Sequence, residues 1–265
     1  MQEPIEARVT VACMSNVGKQ NATLRSIYPR SAAVFGASGG IGRALVQSLA
    51  AKGCERIYAG SRSGTGFESG KVASFAFDLE NEESIADAAQ LMREDPPEWV
   101  IVASGVLTLE EGQGPERTLK RLDPDVMARI LSINTIGPAL IAKHMLPLMN
   151  RADPFVFAAL SARVGSITDN GLGGWHSYRA SKAALNMLLK NFAIEMGRTH
   201  SQGVVVGLHP GTVDTPLSEP FQKGLPDGQL TEPSEAADNL IEVLSRVTPV
   251  SSGQVFDFAG KAVPA

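Results

Sequence analysis

From residue 31 onward, short apolar blocks alternate with longer stretches of helical periodicity. Residues 31–35, 56–60, 72–77, 99–103, 155–160, 204–208 and 254–258 are such blocks, rich in Val, Ile, Ala and Phe. Blocks this short, with little polar alternation, read as strands buried on both faces. Between them, 43–52, 81–92, 125–149 and 180–190 read as helices. In 125–149, Val126, Ile130, Ile133 and Leu140 fall on one helical face, which predicts a single long helix. Strands alternating with helices predict a doubly wound parallel sheet with helices on both faces, an α/β fold. Two polar stretches rich in Gly and Pro, 108–121 and 216–233, read as loops. Residues 1–30 show no clear period. They read as a disordered or loosely packed extension, with an extra strand at 9–14 as the alternative, or as an upstream start with Met14 as the true one. Residues 31–265 read as one domain.

Composition narrows the class. The hydrophobic fraction is 43%, enough for a substantial core, and the net charge of −4 supplies no polybasic surface for nucleic acid or anionic membrane. No apolar run is read as a membrane span. The start, Met1 to Glu6, is acidic and a poor secretory signal. The two cysteines, Cys13 and Cys54, lack metal-ligand spacing and fit a reducing, cytoplasmic setting. No His/Cys/Asp cluster suggests a metal. The runs Glu82-Glu83 and Glu110-Glu111 read as solvated surface.

Two motifs carry chemistry. The strand block 31–35 runs into Gly36-Ala-Ser38-Gly39-Gly40-Ile41-Gly42 and then into a helix. Glycines at such a turn let the backbone approach a pyrophosphate, and the free N–H groups at the helix start meet its charge. About 140 residues later, Tyr178 and Lys182 lie four residues apart in a helical stretch and so share a face. An ammonium beside a phenol lowers the phenol pKa towards neutrality, which suits proton transfer to a substrate oxygen.

Taken with Asp78-Leu79, Asn134 and Pro210-Gly211-Thr212-Val213, these motifs resemble the short-chain dehydrogenase/reductase family over about residues 31–260. The segments 161–167, 173–175 and 178–185 look like its C-factor-like subgroup. The resemblance implies a single-domain Rossmann-type fold and an oxidoreductase moving a hydride between nicotinamide and a carbonyl or alcohol. It implies Tyr178 as general acid/base, Lys182 as its tuning partner and a ribose ligand, and Asn134 as the anchor of a proton-relay water. It also implies that Gly36, Ser38, Gly39, Gly40, Ile41, Gly42, Asp78, Leu79, Gly105, Lys182, Pro210, Gly211, Thr212 and Val213 hold the cofactor. A mobile lid is expected after Pro210-Gly211. A homodimer or homotetramer is expected, built on the helices carrying Asn134 and Tyr178.

Several positions depart from the family pattern. The acid that holds an NAD ribose is absent after the second strand, where Ser61 and Arg62 stand. Arg62 can pair with a 2′-phosphate and Ser61 can donate to it, so NADP(H) is expected over NAD(H). Ala103-Ser104-Gly105 replaces Asn-Ala-Gly, and Phe35 replaces a threonine. Ala162 stands where the catalytic serine falls, leaving Ser161 as first candidate and Ser166 as second. On a regular strand Ser161 points away from the site, but the longer segment before Tyr178 gives room to turn it towards the tyrosine. His176 and His209 read as structural hydrogen-bonders near the substrate. An extended-branch epimerase is disfavoured by the short tail after Val213. A cofactor-binding sensor with little turnover is the remaining alternative, favoured by Ala162 and opposed by Asn134, Tyr178 and Lys182.

Overall fold

A computed structural model describes residues 27–67, 70–109, 114–219, 222, 226 and 228–265. The readings made for residues 1–26 and for Glu110-Glu111 lie outside the described residues. Nine strands and six α-helices alternate along the described chain: β1 Ser31–Phe35, α1 Gly40–Ala51, β2 Arg56–Ser61, β3 Val72–Ala76, α2 Glu82–Leu91, β4 Trp99–Val102, α3 Pro124–Leu131, α4 Gly137–Met145, β5 Phe155–Leu160, α5 His176–Gly197, β6 Gly203–His209, β7 Thr212–Val213, β8 Leu230–Thr231, α6 Pro233–Arg246 and β9 Val255–Asp257. Seven strands form one parallel sheet in the order β3-β2-β1-β4-β5-β6-β9. The chain reverses direction across the sheet between β1 and β4, which opens a crevice at the carboxyl ends of the strands.

Alternate residues of each strand feed two cores. Ala32, Val34, Ile57, Ile101, Ala158 and Val206 face α1 and α6. Phe35, Val100, Phe157 and Val205 face α2, α4 and α5. Ile101 and Phe157 are fully buried, and each such side chain stabilises the fold by about 1.5–3 kcal/mol. Phe35 meets Phe75 and Phe77 edge to face, with ring centroids at 5.2 and 5.1 Å. This aromatic cluster explains why an apolar ring stands at position 35.

The long helix expected at 125–149 is interrupted. α3 and α4 are joined by a π-helical turn, Ser132–Ile136, that contains Asn134. The run Pro124–Leu148 spans 25 residues and is long and apolar enough to cross a membrane by length and composition only. Here Ile130, Ile141 and Met145 are buried in the protein. α6 went unread in the sequence, although Pro233 at its first turn and Ala236, Ala237, Leu240, Ile241 and Leu244 on its buried face mark it.

Candidate active site

Sterics require the glycine turn between β1 and α1. Gly36 has φ +96°, and a Cβ there would lie 2.4 Å from Ser104 Oγ. A Cβ on Gly42 would lie 2.1 Å from the Gly36 carbonyl oxygen. Gly39 caps α1 with no side-chain hydrogen bond, so the helix presents bare N–H groups to the crevice. Ser38, Gly39 and Gly40 are exposed there, and Ile41 lines the cleft beyond them. Thr215, which sequence reasoning did not single out, reaches over the turn: its Cγ2 would lie 2.6 Å from a Cβ on Gly40.

At the end of β2, Arg62 is exposed and forms no hydrogen bond or ion pair among the described residues. Ser61 behaves differently from expectation. It is buried, and its hydroxyl accepts Gly64 N–H at 3.1 Å, lies 3.2 Å from Ser63 Oγ and lies 3.4 Å from Thr65 O. It shapes the turn instead of presenting a hydroxyl to a ligand. Arg43 enters the same region from α1, with its guanidinium 5.1 Å from the Phe67 ring centroid and 3.5 Å from Gly66 O. The Asp78 carboxylate accepts Glu80 N–H at 2.9 Å, as a turn-forming aspartate does. Leu79 packs on Gly137, where a Cβ would lie 2.7 Å from its Cδ2.

The catalytic candidates meet at the other end of the crevice. Asn134 is fully buried. It accepts Val106 N–H at 2.8 Å and donates to Val106 O at 2.7 Å and to Ser181 Oγ at 3.1 Å. The π turn aims this amide at the segment after β4, and Gly105 leaves space beside it: a Cβ there would lie 3.1 Å from Asn134 Oδ1 and 3.4 Å from Lys182 Nζ. Buried Lys182 donates to Leu160 O at 2.8 Å, with Nζ 5.8 Å from the Tyr178 ring centroid. Burial lowers Lys182 to about 8 and pushes Tyr178 up to about 12. This reverses the expected lowering of the phenol. Desolvation penalises both charged forms and outweighs the attraction expected between the ammonium and the phenol. Tyr178 is therefore held as a protonated acid.

Among the described residues neither candidate serine hydrogen-bonds Tyr178, although Ser161 lines the same cleft. Ser161 donates to Asn186 Oδ1 at 2.5 Å, one helical turn beyond Lys182, and Ala162 carries no hydroxyl. Ser166 donates to Ala265 O at 3.3 Å and accepts Asp169 N–H at 3.0 Å. His209 lines the cleft with Nδ1 buried and without a hydrogen-bond partner among the described residues, and burial lowers its imidazole to about 4.

These groups enclose a cleft of about 630 Å³ whose lining includes Ile41, Gly105, Tyr178, Lys182, Pro210, Gly211, Thr212 and Val213. A glycine cradle at the switch point of a parallel sheet, with a half-buried tyrosine and a buried lysine at its far end, defines a nicotinamide-dependent oxidoreductase. Comparison gives the family. The family model described as short chain dehydrogenase matches residues 30–225, and the chain belongs to the short-chain dehydrogenase/reductase family. It is 32% identical over 225 residues to 1-hydroxy-2-glutathionyl-2-methyl-3-butene dehydrogenase of Rhodococcus sp. (strain AD45), covering 83% of this chain and 93% of that one. It is 35% identical over 139 residues to C-signal of Myxococcus xanthus, covering 52% of this chain and 78% of that one. NADPH-bound carbonyl reductase from chicken fatty liver superposes with a TM-score of 0.76 at 25% identity, covering 90% of this chain and 95% of that one. The chain is thus an enzyme that acts on CH–OH or C=O groups of a small molecule with a nicotinamide cofactor.

Proposed function

We propose that this enzyme reduces a carbonyl compound with NADP(H), in preference to NAD(H), and that Tyr178 delivers the proton. One observation carries the reading: Tyr178 and Lys182 line one cleft that runs to the start of α1 beside the uncapped glycine turn. The cofactor fits the residues present. Bare N–H groups and a glycine-rich turn suit a pyrophosphate, and the exposed Arg62 guanidinium suits a 2′-phosphate. Arg43 stands ready as a second cation. When bound, the nicotinamide supplies the hydride.

The remaining work falls to the chain itself. Tyr178 Oη donates its proton to the carbonyl oxygen as negative charge grows there, giving the alcohol; oxidation runs the same path backwards. Lys182, charged below about pH 8, stabilises the tyrosinate that results and would help hold the ribose. Asn134 pins the segment after β4 against α5, so the floor of the cleft stays in register with Tyr178. The sensor alternative rests on Ala162; Tyr178 and Lys182 lining one cleft, with Asn134 bracing its floor, argue against it.

The same reading includes a cytoplasmic location and a homodimer or homotetramer. Exposed Ile136, Met187 and Ile194 on the π turn and α5 support the assembly; light scattering of the purified protein checks it, and a monomer would refute it. Titration of NADPH and NADH by fluorescence tests the cofactor assignment. NADPH is expected to bind at least about tenfold tighter, the scale of one charge-assisted pair, and Arg62→Ala to remove most of that difference. Equal affinities in the wild type would refute it.

A further inference from the structure

The segment entering the catalytic helix is held in an unfavourable conformation. Gly173, Gly174 and Trp175 have φ of +65°, +66° and +53°, three left-handed residues in a row. Trp175 is the one described residue other than glycine with positive φ. A bulky side chain in that region persists only where its surroundings fix it, and such strain gathers at functional sites. Here Glu116 fixes it. Its carbonyl oxygen accepts Trp175 N–H at 2.6 Å, and its carboxylate accepts both the N–H and the hydroxyl of Ser177. Glycine would meet the backbone demand at position 175 without strain, so the indole itself needs a reason.

The left-handed turn aims the indole into the cleft. Its ring centroid lies 6.4 Å from that of Tyr178 at an interplanar angle of 62°. Leu172, 93% exposed, and Leu217, 43% exposed, line the same cleft as Trp175 and Tyr178. Solvent-exposed leucines flanking an aromatic ring beside the proton donor make an apolar wall beyond the reacting centre.

We infer that Trp175 is a specificity-determining residue, a wall on which a flat apolar substituent of the carbonyl substrate packs. The inference rests on the carbonyl-reducing function proposed above. It predicts discrimination by shape as well as by apolarity. Acetophenone and cyclohexyl methyl ketone are methyl ketones of equal carbon count, one flat and one puckered. Steady-state NADPH oxidation is measured for both and for acetone, in the wild type, Trp175→Ala, Trp175→Phe and Trp175→Gly. Trp175→Ala should lower kcat/KM for acetophenone by about tenfold, the scale of an aromatic contact, and for acetone by less than about twofold. Cyclohexyl methyl ketone should fall in between, and Trp175→Phe should keep acetophenone within about threefold of the wild type. Trp175→Gly should lose acetophenone selectivity while its melting temperature holds or rises, because the strain is relieved. Equal losses for all three ketones would make Trp175 a prop for the helix and overturn the inference, as would no loss.

A second readout separates this inference from the function beneath it. The chain has two tryptophans. Trp99 is in the core, so saturable quenching of intrinsic fluorescence by acetophenone should appear in the wild type and vanish in Trp175→Phe. Quenching that saturates without turnover of any ketone would uphold the wall and refute carbonyl reduction. Quenching that survives in Trp175→Phe would refute the wall.

Discussion

Ser161 shows where side-chain direction escapes sequence reasoning. It follows the end of β5 and lines the same cleft as Tyr178, yet its hydroxyl is spent on Asn186 Oδ1. The expectation that it would turn towards Tyr178 assumed that a longer loop frees the strand end, but the backbone stays pinned, with Ser161 N–H donating to Leu208 O at 2.7 Å. Ser161→Ala is therefore expected to destabilise the fold by about 1 kcal/mol, leaving Asn186 short of a partner, with little change in kcat. Urea unfolding and steady-state kinetics on the same variant check this; a large loss of kcat at unchanged stability would restore Ser161 as a catalytic group. His209 gives a pH prediction. Its folded pKa is about 4, against an ordinary 6.5, so the unfolded chain takes up the proton first as pH falls. Stability is then lost as pH drops from 6.5 towards 4. In His209→Asn the fall in urea midpoint between pH 7 and pH 5 should be smaller than in the wild type, and an identical fall would contradict the assignment. The glycine turn after β1 and the pairing of Tyr178 with Lys182 on one helix were legible because they depend on residue type and spacing. The hydroxyls of Ser61 and Ser161 were not, because a hydroxyl's partner is set by the fold around it.

Elements were legible where periodicity was clean, and β5 was read at its observed limits. The π turn at Asn134 was not, since it keeps the chain helical and changes only which carbonyl each N–H meets. α6 was passed over because its strong start, Pro233, also closes a loop rich in Gly and Pro. α5 lacks a side-chain cap of its own, with Trp175 at the N-cap position, and borrows one from Glu116. Glu116→Ala is expected to cost about 1 kcal/mol, the usual worth of an N-cap, and to lower turnover by loosening Tyr178. Glu116→Gln should recover part of both. Thermal melts and kinetics check the pair; turnover unchanged in Glu116→Ala would show that α5 needs no such anchor. Gly42→Ala drives a Cβ into the Gly36 carbonyl oxygen and should cost about 1–3 kcal/mol together with cofactor affinity. Calorimetry with and without NADPH measures both.

At the scale of the whole molecule, one parallel sheet brings residues distant in sequence to a single edge. β1 delivers the glycine turn, β4 delivers Gly105, β6 leads into Pro210-Gly211, and α5 lays Tyr178 and Lys182 across the strand ends. The switch between β1 and β4 opens the space that a dinucleotide fills. The central claim is that this edge carries out carbonyl reduction with Tyr178 as the acid. NADPH oxidation against aldehydes, ketones and quinones, by the wild type and by Tyr178→Phe with NADPH affinity measured on the same samples, tests it most directly. The account predicts turnover in the wild type and a loss of about 10²-fold or more in kcat for the variant, with NADPH binding unchanged. A variant that binds NADPH and turns over an identified substrate at the wild-type rate would contradict it.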